Sequence, residues 1–512
     1  MIILRGPPIP QTETFWYKWG KSRSAQAIAA NHDYAKSLIL SCASGDLSAE
    51  GRYSVSEVSR TDNIRMKRPR ILLLNPWIHD FAAYDLWARP MGLLVLGRLL
   101  RVGGWDPVLV DCLSTSHPVM KPVKVRDQAH GRFARTPIPK PPALADVART
   151  FSRYGVHPYL IAADLSSLER PEAVLVTSMM TYWYPGVREA VALAREVFPG
   201  VPVLLGGVYA SLMPQHARRH IAADEVITGP GETALAEALF RHTRKSLNGR
   251  STVPHLALSP ELDLMAHVRF LPLLTSRGCP MRCTYCASGR LVPSFVRRGV
   301  PHVMEEIHSA RMKFGVRDIA LYDDAFLVDA TAHAIPILEA AAEQVPGMRW
   351  HTPNGLHAAA IDAQVARAMK KAGFETIRLG VESSSDTFHE HTGKKVSFQA
   401  VTTAVRHLKD AGFRTDQIGA YLLVGVPGQS RQQIEQDVER CLEAGAYPKL
   451  AEYSPIPGTA LWPKALEAAK YPIDREPLFH NCTLLAAAEP GVDAQFLRGL
   501  RARIRDFVDS VA

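Results

Sequence analysis

From residue 71 onward, short apolar runs alternate with amphipathic stretches of helical period, and they do so in two successive blocks. This alternation builds parallel sheets, because a parallel strand pair needs a long crossover and a helix is the usual one. In the first block, runs at 71–74, 108–110, 173–178, 201–205 and 224–227 read as strands, with helices at 91–102, 186–198 and 214–221. The expected result is a doubly wound, Rossmann-like parallel sheet with helices on both faces. The second block places strands at 271–275, 318–323, 348–352, 376–381, 418–424 and 449–453, separated by helices at 301–313, 332–343, 362–372, 398–411 and 430–443. Six β/α units predict a partial (β/α)6 barrel of TIM type, with functional groups at the carboxyl ends of its strands.

These patterns divide the chain into a leader at 1–65, a first domain at 66–250 with a polar, proline-rich insert at 113–160, a barrel at 265–470 and a helical extension at 471–512. The leader shows no sustained period, so it is expected to be poorly ordered or to precede a true start at Met66. Residues 494–511 form an amphipathic helix whose plain role is to cover the barrel. Seven cysteines in 512 residues are too few for a disulfide scaffold, and an odd number leaves one unpaired. A reducing compartment follows. Residues 197–217 carry no charge but hold three Gly and three Pro, which argues for a buried strand and turn, not a membrane helix. With no signal peptide at the start, a cytoplasmic location is expected.

Sixty Lys and Arg against fifty Asp and Glu leave a net charge of +10, of which residues 121–155 supply +6. Such a segment is either a solvated loop or a lid over an anionic ligand. It lacks the interleaved aromatics of a stacking platform, so nucleic acid is not an expected partner.

The sharpest chemical signal is Thr275-Ser-Arg-Gly-Cys-Pro-Met-Arg-Cys-Thr-Tyr-Cys-Ala-Ser-Gly289, directly after the first barrel strand. Its CxxxCxxC spacing can turn Cys279, Cys283 and Cys286 onto one face of a cubane cluster, leaving one of four irons open. Structural zinc is the competing reading, but it usually wants a fourth Cys or His near the loop. Cys42, Cys112, Cys441 and Cys482 show no spacing for a second cluster.

This loop, Tyr285 beside its last cysteine and the six following β/α units resemble the radical SAM superfamily over residues 265–470. The resemblance implies a [4Fe-4S] cluster whose open iron binds S-adenosylmethionine and whose electron cleaves it to a 5′-deoxyadenosyl radical. It implies Tyr285, Asp323, Asp324 and Glu382 as catalytic candidates. The Asp323-Asp324 pair reads equally as a magnesium site or a helix cap. Glu382-Ser383, in Gly-Val-Glu-Ser, is placed near the ribose or methionine end of SAM, with an ion pair to Arg378 as the alternative for Glu382. Gly425, Gly428, Pro455 and Gly458, in turns after the fifth and sixth strands, are implied to frame the adenine. His351 and Asn354 point toward the same mouth if their register is right, although a lone strand histidine is more often a core residue.

The first domain resembles the cobalamin-binding domain fused ahead of many radical SAM barrels, through Ser178-Met-Met, Gly206-Gly207-Val-Tyr-Ala-Ser and Gly229-Pro-Gly-Glu232-Thr. Ser178, Gly206 and Gly207 are the implied cofactor contacts. Where some cobalamin domains carry Asp-x-His-x-x-Gly, this chain has Trp77-Ile-His79-Asp80-Phe-Ala82, so His79 is not assigned as a cobalt ligand. The combined resemblance implies cobalamin-dependent methyl transfer to, or rearrangement of, an unactivated carbon of an unidentified substrate. It also implies an electron donor such as flavodoxin or ferredoxin. The alternatives are a methylthiotransferase acting on RNA or protein, and a cobalamin or cluster sensor without turnover.

Overall fold

Ile71 and Leu73 face one side of their strand, Leu72 and Leu74 the other, and all four are buried. A strand apolar on both faces belongs in the middle of a covered parallel sheet, and Arg70–Asn75 (β1) is hydrogen-bonded on both edges. In the computed structural model, which describes residues 67–247, 259–393 and 395–511, β1 lies between Asp106–Asp111 (β2) and Ala173–Val176 (β3). Val203–Leu205 (β4) and Glu225–Val226 (β5) complete a parallel sheet of order β5-β4-β3-β1-β2. Helices Met91–Val102 and Gly231–Thr243 cover one face, and Pro158–Ser167 and Tyr184–Val197 the other. The expected leader at 1–65 and Cys42 lie outside the described residues, as do 248–250 at the end of the first domain.

The second sheet has six parallel strands in sequence order: Phe270–Leu273 (β6), Asp318–Leu321 (β7), Arg349–His351 (β8), Phe374–Glu382 (β9), Ile418–Val424 (β10) and Tyr447–Glu452 (β11). This is the expected partial barrel. Three of its helices start where a short polar side chain satisfies a free backbone donor: Asp362, Ser397 and Ser430 accept from Val365, Ala400 and Gln433. Gly373, at φ +93°, ends the first of these three helices in the left-handed conformation.

Two segments behave differently from a simple two-domain reading. The insert is not merely a polar loop, because Arg135–Pro137 and Ser152–Tyr154 pair antiparallel with each other, and Ser152–Tyr154 pairs also with Ile78–Asp80. Ala129 of the insert and Trp87 reach Phe270 and Ala320 of the barrel. Its basic residues are dispersed: Arg153 bonds Glu189 at 2.9 Å, Lys140 donates to the Val147 carbonyl at 2.7 Å and Arg149 lies over the Phe81 ring. At the other end of the chain, Phe496, Leu497, Leu500 and Ile504 join the barrel core, as expected for a covering helix. Ile473, Leu478, Phe479 and Ala486 instead complete the core of the first domain.

Candidate active site

β6 ends at Leu273 and the next residues enter the cysteine loop. Asp323, just beyond β7, fixes that entry: its carboxylate accepts from the Thr275 amide (2.9 Å) and hydroxyl (2.7 Å), and from the amide and hydroxyl of Ser276 (both 2.6 Å). His333 closes the network on the Thr275 hydroxyl at 2.9 Å. Burial raises the Asp323 carboxyl, and these four donors oppose the rise. The expected catalytic placement of Asp323 is therefore corrected, since its oxygens are spent holding the loop. Gly278 then turns with φ +80°, where a Cβ would lie 2.2 Å from the Ser294 carbonyl.

The far side of the loop is strapped by backbone. Thr284 donates to the Thr392 carbonyl at 3.2 Å and accepts from Leu461 at 2.8 Å, and the Cys286 amide closes a turn on Cys283 at 3.1 Å. All three thiols are unbridged, with Cys279 and Cys283 half-buried and Cys286 exposed. Among the described residues no three His, Cys, Asp or Glu converge on one metal ion. A cubane asks for less convergence, because each thiolate takes a separate iron. Three thiols without a fourth Cys or His in the loop fit a [4Fe-4S] cluster with one open iron better than they fit zinc.

Around the loop stand Tyr285, Glu382 and Lys395. Burial, reinforced by Glu382 and Cys283, raises the Tyr285 phenol and keeps it neutral. Glu382 ends β9 at φ +64°, where the register with β10 shifts. A non-glycine residue in that region is strained, and a register shift re-aims its side chain. The carboxylate meets Lys395 at 3.1 Å and not Arg378. Burial lowers the Lys395 ammonium, but Glu382 and Cys283 outweigh it and raise the group overall. Lys395 escaped the sequence reading because its role depends on that turn of Glu382, which no periodicity records.

Other expected contacts sort into two groups. Ser383 is wholly buried and donates to Asp437 at 3.0 Å, while Ser384 bonds the same carboxylate at 2.7 Å, so Ser383 is a clasp to helix Arg431–Glu443 and not a cofactor contact. His351 is also wholly buried, bonds Asp318 at 2.8 Å and stacks on Trp87, which makes it core. Asn354 donates to the Tyr322 carbonyl at 2.9 Å. Gly425, Gly428 and Gly458 all have positive φ, as their turns require. Gly458 lies under the Arg290 guanidinium, and buried Pro455 precedes it in the turn.

A cavity of about 370 Å3 opens between the two sheets, within the usual size of small-molecule sites. Thr177, Gly206 and Gly229 line it from the first domain, and Arg277, Ser288 and Asp324 from the cysteine-loop side. A Cβ on Gly92, Gly206 or Gly229 would meet nothing within 4 Å, so three backbone walls face open space. Such walls let the edge of a large ligand lie against backbone, which is the kind of surface the corrin of cobalamin would need. Arg277 spans the cavity to Glu232, one guanidinium nitrogen lying 3.1 Å from Oε2. Desolvation raises the Asp324 carboxyl, and Ser288 opposes it. Ser178 is corrected here: its buried hydroxyl donates to the Gly206 carbonyl at 2.6 Å and accepts from Ala210 at 3.2 Å, shaping the turn instead of facing the cavity. Gly207, at φ +97°, lines the cavity beside Gly206 and also serves the turn, since a Cβ there would lie 2.3 Å from the Ser178 carbonyl. His79 is held at 2.7 Å by Glu189.

Residues 273–441 match the radical SAM superfamily and residues 155–239 the B12 binding domain. An uncharacterised methyltransferase of Pyrococcus horikoshii is 25% identical, the match covering 58% of this chain and 70% of that one. The cytidylyl-2-hydroxyethylphosphonate methyltransferase of Streptomyces wedmorensis is 21% identical over 77% and 80% of the two chains. Among solved structures, the radical SAM methyltransferase TsrM of Kitasatospora setae, determined with cobalamin and a [4Fe-4S] cluster, superposes with a TM-score of 0.56 at 16% identity over 78% and 75%. The cobalamin-dependent radical enzyme OxsB, with aqua-cobalamin and SAM, gives 0.52 at 14% over 87% and 62%. These likenesses carry the fold. With the cysteine loop after the first barrel strand and a parallel sheet ahead of it, the chain carries a radical SAM domain and, before it, a B12 binding domain.

Proposed function

We propose that the chain is a cobalamin-dependent radical SAM methyltransferase acting on an unactivated carbon of a small organic substrate. The observation that supports this most is one cavity bounded by the cysteine-loop side of the barrel and by glycine-lined strand ends of the first domain. When bound, the cluster supplies the electron that cleaves SAM to a 5′-deoxyadenosyl radical, and cobalamin supplies a methyl group. Cys279, Cys283 and Cys286 hold the three ligated irons. Glu382 and Lys395 would bind the polar end of SAM, and the turns at Gly425, Gly428, Pro455 and Gly458 would leave room for its flat ring. Tyr285 shields the Cys283 side from water, and Gly206 and Gly229 admit the corrin at backbone distance. Reduced flavodoxin or ferredoxin in the cytoplasm is the electron donor.

Anaerobic reconstitution with iron, sulfide and hydroxocobalamin, followed by reductant and SAM, tests the proposal. The expected results are 5′-deoxyadenosine formation and a corrin retained through desalting. Absence of 5′-deoxyadenosine rejects the radical reading, and loss of the corrin rejects the methyltransferase reading. Among the described residues no helix is long and apolar enough to cross a membrane.

A further inference from the structure

A second cavity, of about 500 Å3, lies where the insert and the C-terminal helix meet the barrel strands, and is lined by Arg126, Arg378, Lys449, Arg501 and Arg505 with no acidic residue in its wall. Arg378 precedes Glu382 by four residues on β9, a rise of about 13 Å along an extended strand. Neither Glu382 nor Lys395 nor any cysteine of the loop lines the cavity, so it is separate from that group. Tyr421, whose hydroxyl donates to the Pro353 carbonyl at 2.9 Å, also lines it.

The cations are placed, not scattered. Arg378 pairs in register with Gly419 on the next strand, and a Cβ there would lie 2.7 Å from the guanidinium, so the missing side chain makes room for Arg378 to lie flat. Its guanidinium donates to the carbonyl of its own neighbour Ile377 at 2.8 Å and lies beside the Tyr421 phenol, with no carboxylate partner among the described residues. Lys449 sits over the Tyr447 ring at 4.1 Å, and burial beside Arg378 and Arg126 lowers its ammonium to about 8. Among the described residues only Arg501 of the five has a carboxylate partner, Glu452. Arg126 comes from the basic insert, most of whose other charges turn elsewhere. Arg378, Lys449 and Arg501 are half-buried, and Arg126 and Arg505 are exposed at the rim. Crowding like charges around one partly desolvated cavity is unfavourable, and an anion relieves both the repulsion and the lost hydration.

We propose that this cavity is an anion-binding site at the junction of the barrel strands, the insert and the C-terminal helix, separate from the cysteine loop, for the phosphate or carboxylate group of a small molecule. Trp87 and Tyr447 add aromatic walls, so the anion can be free or can carry an organic arm.

Equilibrium dialysis of the reconstituted full chain at low ionic strength tests this with two probes, orthophosphate and phenyl phosphate. Saturable binding is expected, weakened at least tenfold by Arg378→Gln, by Lys449→Gln and by Arg126→Gln. The last variant lies in the insert, outside the barrel strands, and keeps the test valid if a strand variant fails to fold. Phenyl phosphate binding tenfold tighter than orthophosphate assigns an organic ligand, and equal affinities assign a free anion. Absence of saturable binding, or binding unchanged in all folded variants, overturns the proposal. The measurement needs no turnover, so its failure is distinct from failure of the radical reading.

Discussion

The strand ends of the two parallel sheets face one cavity and offer it different things. The first-domain sheet offers backbone, with Gly206 and Gly229 opening onto empty space while the Ser178 hydroxyl is turned inward to hold the bend. The barrel offers side chains, with Arg277, Ser288 and Asp324 at the cavity and the three thiols in the adjoining loop. A large, rigid ligand is best met by backbone at close range, since side chains would have to be cleared away. Reactive atoms need functional groups held in place, which is why Asp323 and Asp437 spend their carboxylates on loops and not on ligands. Each rim thus has an inner layer of polar residues committed to holding turns and loops.

The division can be broken by experiment. The largest effect belongs to the thiols: replacing Cys279, Cys283 and Cys286 with Ala should abolish iron binding and 5′-deoxyadenosine formation, read by iron content and product analysis. Corrin retention should survive that change, and its loss would refute the separation of the two rims. Gly206→Leu should do the reverse, reducing corrin retention by roughly tenfold by filling the cradle, while the iron content stays at the parent level.

A smaller effect tests the seam between the rims. His480 is wholly buried between Thr181 (2.8 Å) and the Ile473 carbonyl (2.7 Å), and burial lowers it to about 4. Its folded value lies below its unfolded value of 6.5, so the fold favours the neutral ring. That stability is present above pH 6.5 and is lost as pH falls toward 4, by about 3 kcal/mol. His480→Gln should flatten that part of the acid unfolding curve. The part due to His333 and His216, which burial also lowers to about 4, should remain. Smallest is the contrast within the glycine pair: Gly207→Ala should cost about 1–3 kcal/mol through its positive φ and the Ser178 carbonyl, and Gly206→Ala about 0.5 kcal/mol or less. Equal shifts in melting temperature would show that the cradle is not where the structure places it.

Hydrophobic runs made both sheets legible, because a strand buried on two faces leaves an unmistakable apolar block. The cysteine loop was legible because three ligands sit within eight residues of chain. Arg378 and Glu382 show where legibility stops. Four apart on a strand of period two, they should share a face, which is why an ion pair was a reasonable expectation. The shift at Gly380–Glu382 and the positive φ of Glu382 break that parity, sending the carboxylate to Lys395 and leaving Arg378 at the second cavity. Ser178 and Ser383 were misjudged for a related reason: a small hydroxyl at a strand end suits a ligand or the adjoining turn equally well. Only the positions of Gly206 and Asp437 decide between them.

The clasp of residues 473–487 onto the first domain also sets a clock. Asn481 donates to Asp80 at 2.8 Å across 401 residues of sequence. At roughly 5–20 residues per second, a ribosome needs about 20 to 80 seconds to travel from one to the other. Throughout that interval the nascent first domain lacks Leu478, Phe479 and their neighbours, and it exposes the apolar surface they later cover. Synthesis of this chain therefore creates a waiting period in which its earliest folded part depends on chaperones for protection, and it ends only when the last segments arrive.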